Sequence, residues 1–167
     1  MTSQHRFLIT LAGLCSILIS SNVFAGPFNQ GSSRVSLALA SGQFLREDYL
    51  IIGVGGGYYF ADGFEIGLDA DVWFGGDPSI YEITPTLQYV FQTPSISPYL
   101  GVFYSHSYIS DYSDSESIGY RMGIYIPTGD RAYFGFGVVN SEFQDCTDTA
   151  INDCSDTYTE LSLMLTL

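Results

Sequence analysis

The 167-residue chain contains no lysine and only five arginines, set against 18 acidic residues. A chain so poor in cations cannot build the basic surface that holds a phosphate backbone, so charge alone excludes nucleic-acid binding. Histidine is equally scarce, at His5 and His106, and the three cysteines are Cys15, Cys146 and Cys154. That set is too small for the cysteine and histidine spacings of a structural zinc site. Long apolar runs are missing as well. The longest, Phe7 to Ile19, falls short of the ~20 residues a membrane-spanning helix requires. The glycine-rich runs Gly53-Val54-Gly55-Gly56-Gly57 and Gly135-Phe136-Gly137 have no helical pattern after them, so they lack the helix N-terminus a nucleotide loop needs.

The first residues read as a targeting segment. His5 and Arg6 precede the apolar run, which closes through Ser20, Ser21 and Asn22 to Val23-Phe24-Ala25. A positive start, a short apolar stretch and a small terminal residue describe a secretory signal peptide over residues 1–25, cleaved after Ala25; the alternative is an uncleaved amphipathic anchor. Cys15 does not mark a lipoprotein, because Leu14 stands where a small residue is required, and it is discarded with the peptide. Residues 26–32 then form a short N-terminal segment ahead of a single domain over 33–167. The mature chain keeps four arginines and all 18 acidic residues, a formal charge of −14. The 13 tyrosines and 12 phenylalanines of the full chain, all but Phe7 and Phe24 beyond the peptide, argue for folded strands rather than an acidic disordered coil.

Apolar and small-or-polar residues alternate through that domain in runs bounded by turn chemistry. Eight strands are expected near 33–44, 49–60, 64–74, 80–91, 99–109, 117–126, 131–143 and 156–167. Leu161, Leu163, Leu165 and Leu167 interleave with Glu160, Ser162, Met164 and Thr166. Phe64, Ile66, Leu68, Ala70, Val72 and Phe74 oppose Glu65, Gly67, Asp69, Asp71 and Trp73 in the same manner. Since side chains alternate across a strand, one face of each is apolar and the other carries carboxylates and glycines. An aqueous protein would not bury the carboxylate face or leave the apolar one wet. Lipid outside and a polar lumen inside reconcile the two, which makes the expected fold an all-β, eight-stranded antiparallel up-and-down transmembrane β-barrel. With both termini on the periplasmic side, the second, fourth and sixth connections are the tight ones. The outer loops Ser110 to Glu116 and Gln144 to Ser155 are expected to be the longer, acidic ones. An aqueous lipocalin-like carrier would need an apolar interior, which the carboxylate face denies it.

In these respects residues 33–167 resemble the small eight-stranded outer-membrane β-barrels of Gram-negative bacteria, the OmpX-like and OmpA-barrel-like proteins. The last strand is similar to the signal read by the barrel-assembly machinery, with Leu163, Leu165 and Leu167 at its alternating apolar positions. It departs from that signal in ending on Leu167 rather than an aromatic residue and in carrying Ser162 where glycine is common. The resemblance implies residence in the cell outer membrane among membrane lipids and lipopolysaccharide.

An eight-stranded lumen is narrow enough for side chains to fill. Glycines on the inner face make room there for Trp73, Tyr59 and Tyr125. Arg121 is expected to be the one inward cation of the mid-barrel, the hub of an interior charge network with Glu65, Asp69, Asp71 and Glu82. Cys146 and Cys154 are expected to form a disulfide that pinches one outer loop. Asp111, Asp114 and Glu116 in one loop, and Asp145, Asp148, Asp153 and Asp156 in another, could share divalent cations with lipopolysaccharide phosphates. Neither has the spacing of a dedicated calcium loop. His106, flanked by Ser105 and Ser107 with Asp111 nearby, suggests an acyl-transfer constellation, and the resemblance supplies a precedent in barrels that are lipid A deacylases. Adjacent strand residues face opposite sides, however, so neither serine shares a face with the histidine. The reading is therefore a non-enzymatic barrel with no cofactor and no metal site, contributing to envelope structure or to surface contacts through acidic loops. A lipid A deacylase-type enzyme is the alternative.

Overall fold

The computed structural model describes residues 26–44, 47–144 and 154–167. The expected signal peptide, Arg46, Cys146, Asp145, Asp148 and Asp153 lie outside the described residues. Eight strands run in sequence order: β1 (Ser33–Phe44), β2 (Glu47–Ala61), β3 (Phe64–Phe74), β4 (Ile80–Val90), β5 (Ser97–Ile109), β6 (Ser115–Pro127), β7 (Ala132–Phe143) and β8 (Ser155–Thr166). Each pairs with its neighbours antiparallel, and β8 returns to β1 to close a barrel. The closing ladder runs from Arg34–Thr166 to Ala40–Glu160, and over that stretch the sheet has no free edge and the backbone N–H and C=O groups of β1 and β8 find partners within it.

Alternation sets the two faces as the sequence implies. Val54, Ile66, Leu68, Val102, Ile118 and Leu163 all point outward and keep half or more of their surface exposed. Inside, the side chains form three layers. At the end carrying the chain termini, Tyr59, Val90, Tyr99, Tyr125, Tyr133 and Met164 pack around Phe28. At the opposite end Tyr49, Ile51, Trp73, Ile80 and Ile109 form a second apolar cluster. Charged residues occupy the layer between them.

The segment 26–32 is part of the first layer. Phe28 is 2 % exposed, with its ring 5.0 Å from Tyr133, 5.8 Å from Tyr59 and 6.0 Å from Tyr125. Gly63, at φ +76° in the β2–β3 turn, donates its N–H to the Phe28 carbonyl at 2.8 Å and accepts from Val90 N–H at 2.8 Å. A positive φ of that kind suits glycine, and here it locks the N-terminal segment to the barrel mouth.

Strand pairing shortens the outer connections relative to expectation, with β2 beginning at Glu47, β6 at Ser115 and β8 at Ser155. β5 and β6 stay paired as far as Ser107 and Ser115, so the connection shrinks to Ser110 to Asp114. Ladder hydrogen bonds outcompete loop solvation for Ser115 and Glu116, whose polarity alone favours a loop. Asp111 turns the chain there with φ 65°.

Candidate functional site

Two places in the fold gather chemistry, the charged middle layer of the lumen and a histidine cluster on the outer wall.

The middle layer rests on β3, whose alternation points Glu65, Asp69 and Asp71 inward. Opposite them on β2 stand Gly57, Gly55 and Gly53, each the register partner or near-partner of one acid. A Cβ at Gly53 would collide with the Asp71 carboxylate, one at Gly55 with Asp69, and one at Gly57 with Glu65. The glycine run is therefore a bed on which three carboxylates lie. Arg34, reaching in from β1, places Nε 2.7 Å from Glu65 Oε1 and Nη2 3.4 Å from Asp69 Oδ1. It also donates to Ser36 Oγ at 2.5 Å. Arg121, from β6 across the lumen, donates through Nη1 to Asp69 Oδ2 at 3.0 Å and sits 5.3 Å from the centre of the Phe103 ring. Asp69 thus joins two guanidiniums that come from opposite walls.

The expectation of a single inward cation is corrected here. Arg34 is a second one, and it, not Arg121, holds Glu65. Arg34 opens the β1 pattern ahead of the small residues Ser36, Ala38 and Ala40. Its strand parity, identical to theirs, was the available signal. Among the expected network members, the structure joins Arg121 directly to Asp69 alone. Glu82 accepts instead from Ser107 Oγ at 2.9 Å and Thr84 Oγ1 at 3.1 Å. Asp71 is the cross-strand partner of Glu82 and makes no ion pair among the described residues. Glu160 on β8 also lines this layer, bringing its acids to Glu65, Asp69, Asp71, Glu82 and Glu160 against two arginines. The interior cavities beside Arg121 measure about 10 and 20 Å³, room for a water molecule and not for an organic ligand.

On the outer wall, His106 is half-buried and its ring stands 4.6 Å from that of Tyr108. Its Nε2 lies 3.5 Å from Asp114 Oδ2 and its Nδ1 3.7 Å from Glu116 Oε1. Glu116 is the direct cross-strand partner of His106, which is why it, rather than Asp111, supplies the carboxylate. Ser105 and Ser107 point into the lumen, 1 % and 6 % exposed, with Ser105 bonded to Thr84 at 2.7 Å. The wall separates the histidine from both hydroxyls. The two carboxylates face different ring nitrogens and do not converge on one point.

No family model matches the chain, and no curated protein does. Solved structures match over most of its length. The N-terminal β-barrel domain of Pseudomonas aeruginosa OprF aligns at TM-score 0.60 and 15 % identity, covering 83 % of this chain and 98 % of that one. Neisserial surface protein A aligns at TM-score 0.60 and 16 % identity, covering 81 % and 95 %. The outer membrane enzyme PagL aligns at TM-score 0.50 and 12 % identity, covering 79 % and 98 %. The chain has the fold of the small eight-stranded outer-membrane barrels. At these identities the likeness is one of fold, shared by an enzyme and by a surface protein, so activity must be argued from the residues themselves.

Proposed function

We propose that the protein is a non-enzymatic barrel of the outer membrane of a Gram-negative cell, acting in envelope structure or in surface contact through its acidic outer loops. The observation that carries this reading is the inversion of polarity. The outward face holds the large apolar side chains at roughly half exposure, and the inward face holds the ion pairs. Such a surface is stable where hydrocarbon surrounds it. Two sealed apolar layers and a filled middle layer argue against conduction. Membrane fractionation, with amino-terminal sequencing for cleavage after Ala25, tests the reading, and recovery of the mature chain from the soluble periplasm would refute it.

Lipopolysaccharide is the proposed neighbour, reached at the acidic rim through divalent cations, and the barrel-assembly machinery is the proposed partner during insertion. A lipid-modifying enzyme is the second reading, favoured by the position of His106 beside Asp114 and Glu116 on the outer wall. Against it, Ser105 and Ser107, the serines that flank the histidine, point into the lumen. Lipid A from cells carrying the wild-type protein, His106→Ala or an empty vector should be identical. A loss of one acyl chain seen only with the wild type would make the protein an enzyme.

A further inference from the structure

The outward apolar surface is not equally tall around the barrel. On β3 it runs unbroken from Phe64 to Phe74, and on β4 from Tyr81 to Phe91. On β7, β8 and β1, three adjacent strands, it stops short, at Val138, Leu161 and Leu39. Beyond those residues toward the loop end, the outward positions are Asn140 and Glu142 on β7, Thr159 and Thr157 on β8, and Ser41 and Gln43 on β1. The ladder register places this polar flank at the depth of apolar neighbours. Ser41 pairs across to Leu50, Asn140 to Tyr120 and Glu142 to Ile118. Over three of eight strands, the level that meets acyl chains elsewhere therefore presents hydroxyl, amide and carboxylate groups.

We propose that this flank docks the saccharide headgroup of an outer-leaflet glycolipid, which sits lower here than around the rest of the barrel; the inference rests on the membrane reading above. The chemistry fits sugar hydroxyls. Asn140 donates to Thr157 Oγ1 at 2.8 Å, which fixes both side chains. The pair retains an amide oxygen, a second amide hydrogen and a hydroxyl hydrogen for a ligand. The described residues of the flank are uncharged apart from Glu142, which offers a further acceptor at the top. The order of polarity also selects the occupant. Below the flank, Leu39, Leu161 and Val138 continue into the apolar band, and above it no outward apolar residue intervenes among the described residues. A lipid has that same order from tail to headgroup, whereas a protein patch buried against a partner would be closed off on its upper side as well.

The test reconstitutes the mature chain into nanodiscs of phosphatidylcholine and into nanodiscs containing lipopolysaccharide, and records intermolecular nuclear Overhauser effects. Methyl protons of Leu68 and Val102 should contact acyl methylenes in both. Those of Thr157 and Thr159 should contact headgroup protons and water in the first disc and sugar-ring protons in the second, with no acyl contact in either. Wild-type protein should unfold several-fold more slowly in the lipopolysaccharide discs, and the combined variant Asn140→Leu, Thr157→Val, Thr159→Val should lose that difference while remaining inserted. Acyl contacts at both threonine methyls, an undiminished lipopolysaccharide effect in the variant, or contacts to a second copy of the chain would each overturn the proposal. Failure of the wild type to insert into either disc would overturn the membrane reading together with it.

Discussion

At the scale of single residues, the charge arrangement in the lumen distinguishes two aspartates two positions apart. Asp69 is shared by Arg34 and Arg121, and Arg121 has no other ion pair among the described residues. Asp69→Asn should strand a buried guanidinium and destabilise the barrel by roughly 3–5 kcal/mol. Asp71 sits opposite Glu82, and Arg121, which lines the same cavity, pairs with Asp69 instead, so the like charges of this cross-strand pair oppose folding. Asp71→Asn should therefore be neutral or stabilising, and urea titrations of both variants in detergent micelles would separate them. Gly55→Ala belongs to the same argument. A side chain there meets Asp69 and Ser36 Oγ, so the small substitution should weaken the barrel through Asp69 while Gly56→Ala, whose methyl faces outward and meets only the Arg34 carbonyl oxygen at an ordinary 3.8 Å, should not. Equal effects at the two glycines would remove the idea of a carboxylate bed. Three acids on β3 and alternate glycines on β2 were both legible in the sequence. That each glycine serves one acid is a matter of register, which no single strand's pattern contains.

At the scale of elements, residues 26–32 read from sequence as a short leader to the first strand, and the structure makes them the seal of the barrel mouth. Phe28 has no strand periodicity to announce it, because its position depends on the Gly63 and Tyr59 backbone groups that hold the segment. Phe28→Ala should cost about 3–5 kcal/mol, the usual penalty for deleting a buried aromatic ring, while leaving strand content by circular dichroism unchanged. Unchanged stability would mean that the segment is an appendage. The proposed disulfide between Cys146 and Cys154 lies partly outside the described residues and acts on one connection only. Closing so short a loop contributes roughly 2–3 kcal/mol at most. A double Cys→Ser variant should insert and fold, and mass spectrometry of protein from oxidising cells should find no free thiol in the wild type.

At the scale of the whole molecule, a closed barrel in lipid resists detergent until heated, since unpairing any strand exposes backbone groups that the bilayer cannot satisfy. Unheated protein should migrate differently from boiled protein in a denaturing gel, and coincident bands at all temperatures would count against the closed barrel. The sequence alone specifies the number of strands, their limits to within a few residues and the face each side chain takes, because alternation is a local property with period two. It also determines that His106 and its flanking serines stand on opposite sides of one wall. The folded barrel adds that Arg34 joins the lumen network, that Glu116 rather than Asp111 meets His106, that Phe28 closes one end, and that the outward apolar band is cut short across β7, β8 and β1. Each depends on which segments the closed sheet brings side by side, and that is fixed by the register of the ladders and the docking of the N-terminal segment rather than by any one strand's pattern.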